Sequence, residues 1–137
     1  MIINAKNLIA GRLGAYVAKH TLLGETISIV NAELAVITGN RKNIFLKYKR
    51  QSQRGEPTHG PFLPKMTDRF LKRLIRGMLP YKQWKGREAL RRIKCYNGVP
   101  LEFQGKEYET VQGADITKMQ KLKYVTIQEI CNHLKHR

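Results

Sequence analysis

An α/β domain with a mostly parallel sheet is the fold class that this sequence predicts, and three observations carry it. Short β-branched or apolar runs alternate with helical periodicities, in the order strand, helix, strand, helix, helix, helix, strand, helix. That alternation favours parallel strands covered by helices. The 137 residues and 42% apolar content suit one domain, residues 1–137, with one buried core. No internal repeat or low-complexity tract argues for another architecture.

Each element has its own reason. Met1–Ala5 alternates weakly and reads as a short buried strand. Ala10–Leu23 reads as a helix, with Leu13, Tyr16, Val17 and His20 toward one side and Gly24 as its stop. Gly11 and Gly14 lower helix propensity but allow close packing on a sheet. Thr26–Val30 is β-branched and apolar, which predicts a strand, and Ala35–Ile37 a further short extended piece. Asn40 is a good N-cap for a helix from Arg41 to about Gln51, with Ile44, Phe45 and Tyr48 inward. Residues 52–66 hold three prolines and two glycines and read as a long loop.

Thr67 is expected to cap the next helix, which runs to Leu79 before Pro80. Phe70, Leu71, Leu74, Ile75 and Met78 form one stripe of it. Arg69, Lys72, Arg73 and Arg76 form another, on a different side of the cylinder. Gly86 restarts the chain, and Arg87, Arg91 and Arg92 crowd a further helical turn. Ile93–Asn97 reads as a strand ended by Gly98 and Pro100. Residues 101–123 carry no decisive pattern. Thr126-x-x-Glu129 is a capping box, and Ile127, Ile130, Cys131 and Leu134 follow at helical spacing.

The charge is uneven. The net charge is +16, and residues 41–94 alone hold 17 basic and 3 acidic side chains. Self-repulsion on this scale does not help a compact state, so it points to an anionic partner. A solubilising surplus would be spread along the chain. The candidate nucleic-acid-binding residues are Arg41, Lys42, Lys47, Lys49, Arg50, Arg54, Lys65, Arg69, Lys72, Arg73, Arg76, Lys82, Lys85, Arg87, Arg91 and Arg92, together with Trp84. Lys and Arg neutralise phosphates, and Arg binds them bidentately. Tyr48, Tyr81 and Trp84 lie among these cations, where aromatic rings can stack on unpaired bases. Tyr48 reads better as a core anchor, whereas Trp84 fits either role.

Other chemistry finds little support. Gly11-x-x-Gly14 is not the G-x-G-x-x-G of a dinucleotide site, and Thr38-Gly39-Asn40-Arg41-Lys42 lacks the first glycine of a phosphate loop. A helix N-terminus beside two basic residues still suits one backbone phosphate. Cys131-x-His133-x-x-His136 offers only part of a zinc set, and Cys131 falls on an apolar stripe. Cys95 reads likewise as a strand residue. No G-x-S-x-G occurs, and the acidic residues are scattered, so no catalytic residue, metal or cofactor is expected. The two cysteines fit a reduced intracellular setting. The N-terminus has no signal-peptide pattern, and no run of about 18 apolar residues suggests a membrane span.

Several fixed spacings are more specific. They are Arg76-Gly77-Met78-Leu79-Pro80, then Gly86-Arg87, Leu90 and Ile93-x-x-Tyr96-x-Gly98. Earlier come Ile29-Val30-Asn31-Ala32-Glu33, Val36-Ile37-Thr38-Gly39-Asn40, Lys47-Tyr48-Lys49 and Gly60-Pro61-Phe62. In these the sequence resembles the L-thirteen family of universal large-subunit ribosomal proteins, over roughly residues 1–100, with a looser likeness beyond. The loop after Tyr48 lacks the His-Ser-Gly stretch of bacterial members, and the long C-terminal extension of eukaryotic members is absent, so the likeness is to the archaeal type. Cys95 stands where members usually carry an aliphatic residue.

The resemblance implies a three-layer α/β/α domain around a four-stranded, mostly parallel sheet, with basic helices and loops added. It also implies a structural role in the cytoplasmic ribosome: binding large-subunit rRNA, touching neighbouring large-subunit proteins and supporting early assembly. No catalysis, cofactor, small-molecule substrate or membrane comes with it. Two alternatives stay open: a free-standing nucleic-acid-binding regulator and a nucleotide-dependent enzyme, the latter disfavoured by the missing phosphate-binding spacings.

Overall fold

A computed structural model describes residues 1–120 and 123–135. The elements follow in order as β1 (Ile2–Asn4), α1 (Ala10–Leu22), β2 (Ile27–Val30), β3 (Val36–Thr38), α2 (Arg41–Ser52), α3 (Thr67–Arg76), α4 (Trp84–Arg91), β4 (Ile93–Cys95), β5 (Tyr124–Thr126) and α5 (Ile127–Lys135). The fold is α/β, in keeping with a three-layer α/β/α organisation. Strands β1, β2 and β4 form a parallel sheet in the order β1-β2-β4. Its register sets Ile3 against Ile29 and Ile27 against Ile93, and all four side chains are fully buried.

The parallel sheet has three strands where four were expected. The fourth place is held by a single parallel bridge from Glu109 to Ile3, where the Glu109 N–H donates to the Ile2 carbonyl at 2.8 Å. The surrounding Lys106-Glu107-Tyr108-Glu109 has too little apolar character to extend the pairing. β3, expected as a short extended piece, pairs instead with β5 in a separate antiparallel ribbon, Val36 opposite Thr126 and Thr38 opposite Tyr124. Residues 101–120 otherwise hold two 3-10 turns, Leu101–Phe103 and Ile116–Lys118, and an antiparallel bridge from Asp115 to Leu8.

The main core draws on every helix except for its exposed face, from Ile3 to Leu134. Leu13 and Val17 of α1 are buried as expected, and Gly24 takes φ 109°, the left-handed stop that a side chain would strain. The two helical glycines part company. A Cβ on Gly14 would come within 2.9 Å of the Met78 sulfur, so this glycine admits the turn after α3 and not the sheet. Gly11 is exposed, and nothing lies within 4 Å of the space a Cβ would take. α2 begins as expected, with the Asn40 side chain accepting from the Lys42 N–H at 3.0 Å and with Ile44 and Tyr48 buried.

α3 corrects two expectations. Its N-cap is Met66, which offers no side-chain bond. Thr67 is already inside the helix and donates its hydroxyl to the Asn97 side chain. The helix also ends at Arg76, three residues early, so Met78 leaves the apolar stripe and is 39% exposed. Phe70, Leu71 and Ile75 are buried, while Leu74 sits at the edge of a surface cleft and is half-buried. At the other end of the chain, half of the expected capping box forms: the Glu129 N–H donates to Thr126 Oγ1 at 3.3 Å. The Glu129 carboxylate reaches the Arg41 guanidinium at 3.0 Å instead of its own helix start. Ile127, Ile130, Cys131 and Leu134 are buried as their spacing predicted.

These contacts set the outcome of four substitutions. Leu71→Ala should cost about 2–5 kcal/mol of folding stability, and Leu74→Ala clearly less, because part of that side chain is already in water. Gly86 lies against the Pro80 carbonyl, which an added Cβ would overlap. Gly86→Ala should therefore destabilise, whereas Gly11→Ala should stabilise by about 0.5–1 kcal/mol. Denaturant melts of the variants check the order; an equal effect of the two glycine changes would contradict it.

Candidate nucleic-acid interface

The seventeen candidate residues fall on α2, α3, α4 and the connections between them, and the fold divides them into two groups. Arg41, Lys72, Arg73, Arg76, Arg91 and Arg92 each have a partner within the molecule, although Arg41 and Arg91 stay exposed at 62% and 79%. Arg41 pairs with Glu129 and lies 5.0 Å from the Phe45 ring centre. Lys72 Nζ donates to the Ile93 carbonyl at 2.7 Å, Arg73 donates to the Phe62 carbonyl, and the Arg76 guanidinium covers the Tyr81 ring at 4.8 Å. Arg91 meets Glu88 at 2.7 Å, and Arg92 reaches the Thr21 carbonyl at 3.3 Å.

The other cations are exposed: Lys42, Lys47, Lys49, Arg50 and Arg54 along α2 and its end, Lys65 and Arg69 before and on α3, and Lys82, Lys85 and Arg87 around the start of α4. Among the described residues none of these ten has an ion-pair partner. Lys47 also lies 5.7 Å from the Tyr48 ring centre. The expectation that the whole basic stripe of α3 points to a ligand is thus modified. Only Arg69 is exposed and free of an internal contact; the other three tie α3 to β4, to the loop before it and to the turn after it.

The aromatics separate in the same way. Tyr48 is 7% exposed and packs edge-on against Phe70, ring centres 5.1 Å apart, so it is the core anchor that its position suggested. Burial raises its hydroxyl above the usual phenol range. Trp84, which fitted either role, is 72% exposed at the start of α4.

Packing joins the basic elements. Lys47 of α2 and Arg73 of α3 line one cleft, with Tyr48, Gln51, Leu63, Phe70 and Leu74. Arg69 and Lys72 share a second with Asp68, Lys94, Cys95 and Tyr96. Lys94 was not among the candidates. Its strand position shows why it belongs there: Ile93 points into the core, so Lys94 points out. Lys123 was also missed. The Lys123 carbonyl accepts from the Gly39 N–H at 2.8 Å, which brings it beside Arg41 and Tyr124. That neighbourhood depends on the β3–β5 pairing, and no local sequence signal announces it.

The carboxyl ends of parallel strands are the usual ligand site of such sheets. Here the chain covers that site with its own backbone. The Ile9 N–H, just before α1, donates to the Ala114 carbonyl at 2.8 Å, and Arg12 donates to the Gly113 carbonyl at 2.6 Å. Asn31, at φ 55°, donates through its side chain to Asn4 Oδ1 at 2.9 Å. The Glu33 carboxylate accepts from the Gly98 N–H at 3.0 Å. These bonds give Asn31, Glu33 and Gly98, singled out above for their spacing, a structural purpose. At Asp115 the Thr117 N–H donates to the carboxylate and holds it below the usual carboxylate range.

Burial disfavours the thiolate of both cysteines. Burial pushes the Cys95 thiol up to about 12 and the Cys131 thiol up to about 11, and both are free. Among the described residues no group of three or more His, Cys, Asp or Glu side chains is arranged to hold a metal; His136 lies outside those residues. No described helix is long and apolar enough to cross a membrane.

A parallel-sheet α/β domain with cations gathered on α2, α3, α4 and their loops is a basic domain suited to a polyanion. The chain belongs to the ribosomal protein L13 family, whose model matches residues 1–102. It is 46% identical over 133 residues to the large ribosomal subunit protein uL13 of Methanococcoides burtonii, covering 97% of this chain and 96% of that one. The protein of the same name from Archaeoglobus fulgidus is 45% identical over 134 residues, 97% of this chain and 86% of the relative. That from Methanosarcina barkeri is 47% identical over 130 residues, 94% and 93%. The archaeal type read from the motifs is the type these relatives share.

Two measurements follow. Lys72→Ala and Arg73→Ala should lower the folding stability read from denaturant melts, because each removes an internal bond, whereas Lys85→Ala and Arg87→Ala should leave it within about 0.5 kcal/mol of the parent. Native protein at pH 8 should react with iodoacetamide far more slowly than unfolded protein, whose thiols titrate near 8.5. Equal alkylation rates with and without denaturant would contradict the raised thiols.

Proposed function

We propose that this protein is a structural constituent of the large ribosomal subunit, working as a single domain in the cytoplasmic ribosome. It binds large-subunit rRNA through the basic region at residues 41–94 and supports early subunit assembly. The reading rests on one observation: ten exposed cations without ion-pair partners among the described residues, on neighbouring elements of a chain whose relatives are named large-subunit proteins. Exposed, unpaired Lys and Arg break no internal ion pair when they turn toward phosphate, and each contact releases counterions.

The internally tied cations have a different share in the reading. Arg73 and Arg76 keep part of their guanidinium at the surface, so they meet RNA while holding the scaffold. Arg41 and Arg91 are exposed despite their ion pairs and can also turn to phosphate, whereas Lys72 and Arg92 contribute mainly through the fold. Trp84 offers an exposed ring for a base to stack on. Neighbouring large-subunit proteins would meet surfaces outside this region. The proposed role needs no catalytic residue, cofactor or small-molecule substrate. A domain that grips several RNA segments favours their convergence, which is the physical basis for a role in assembly.

Affinity for isolated large-subunit rRNA should fall steeply with salt. About 6–10 phosphate contacts correspond to a loss of about 10³–10⁵ between 50 and 200 mM. A flat dependence over that range would refute electrostatic binding. Copurification with large subunits through a high-salt wash separates a ribosomal constituent from a free-standing regulator, which would wash away.

A further inference from the structure

We propose that the cleft between α2 and α3 receives one unstacked nucleobase of the bound RNA, an inference that rests on the RNA-binding reading of this surface. The cleft holds about 250 Å³, below the range of about 300–1,000 Å³ typical of whole small-molecule sites. It is room for a single planar ring system. Its walls are apolar: Leu63 and Leu74 are half-buried beside the Tyr48 and Phe70 rings. Lys47, Gln51 and Arg73 complete the lining. The Gln51 amide offers both a donor and an acceptor, which is what reading a base edge requires.

The wall contributed by the loop is preorganised. Arg73 donates to the Phe62 carbonyl, which fixes Leu63, the next residue, against α3. The Tyr48–Phe70 contact fixes the opposite side. A rigid, preformed cleft loses little entropy on being filled.

Charge decides the occupant. Among the described residues no carboxylate lines this cleft, and α2 carries no acidic residue. An adjoining depression on α2 shares Lys47 and Gln51 with it and adds Arg50 and Arg54. A protein side chain would fill the apolar walls equally well but would leave these cations unanswered. A nucleotide brings a flat apolar ring and an anionic phosphate on one tether, matching walls and rim together. Sequence-specific RNA recognition generally takes place at such splayed-out bases.

The test uses purified large subunits carrying a leucine-sized diazirine side chain at position 74 or, in a second preparation, a diazirine at position 85. Irradiation at position 74 should yield an adduct on the base of one unpaired rRNA nucleotide. An adduct on a neighbouring protein, or none, while position 85 labels rRNA, would overturn the cleft proposal and leave the RNA surface standing. No rRNA adduct from either position would bring down both.

A second arm fills the cleft. Leu74→Trp should weaken binding to purified archaeal large-subunit rRNA by about tenfold, the scale of one lost base-stacking contact, with the salt slope unchanged. Lys85→Ala should lower the slope by about one unit with the cleft intact. A Leu74→Trp protein that melts like the parent and binds rRNA like the parent would overturn the proposal; if that variant fails to fold, Leu63→Trp is read in the same way.

Discussion

The buried stripe of α3 is the contact on which the rest of this structure depends. Phe70, Leu71 and Ile75 are at most 2% exposed, and α3 packs against α1, β4 and α5. Three residues of this size withdrawn from water contribute several kcal/mol, on the scale of about 1.5–3 for each. A ten-residue helix has little more than this one stripe to offer. Its remaining positions are then fixed by helical geometry, and four of them are cationic. The same rotation that seats Leu71 and Ile75 aims Arg69, Lys72, Arg73 and Arg76 away from the core centre.

A charge surplus of +14 within residues 41–94 has to be accommodated with only three acidic side chains in that segment. The fold rarely uses ion pairs for this. It turns cations toward backbone carbonyls: Lys72 toward Ile93, Arg73 toward Phe62, Arg92 toward Thr21. A carbonyl accepts such a bond without an added carboxylate, so the net charge stays high while individual side chains become structural. The remaining cations are left in water, where high dielectric and salt limit their repulsion. A bound polyanion would relieve that repulsion and stabilise the folded state by mass action.

The carboxyl edge of the sheet shows the complementary constraint. A parallel sheet of this kind leaves backbone donors at its carboxyl ends and at the start of the following helix. Here the segment around Gly113–Asp115 supplies the acceptors, through Ile9 and Arg12. That edge is thereby committed to holding residues 109–118 in place.

The sequence determined the elements whose apolar residues lie close together in the chain. The strand at Ile27–Val30, the Asn40-capped helix, the final helix behind Thr126 and the burial of Tyr48 and Cys131 were all legible from spacing, because local periodicity sets which side faces the core. The concentration of charge between 41 and 94 was legible for the same reason, since composition needs no geometry. Tertiary structure alone decided the rest. The β3–β5 ribbon joins segments some 86 residues apart in register, and a three-residue strand has no periodicity of its own to reveal it. Which cations are tied and which are free depends on whether a carbonyl from a distant segment, such as Ile93 or Phe62, comes within reach. The cleft beside Lys47 and Arg73 exists because a loop leucine and a helix leucine, eleven residues apart in sequence, are brought to line one space with residues of α2. No local pattern specifies that, because a cavity is a property of how elements meet.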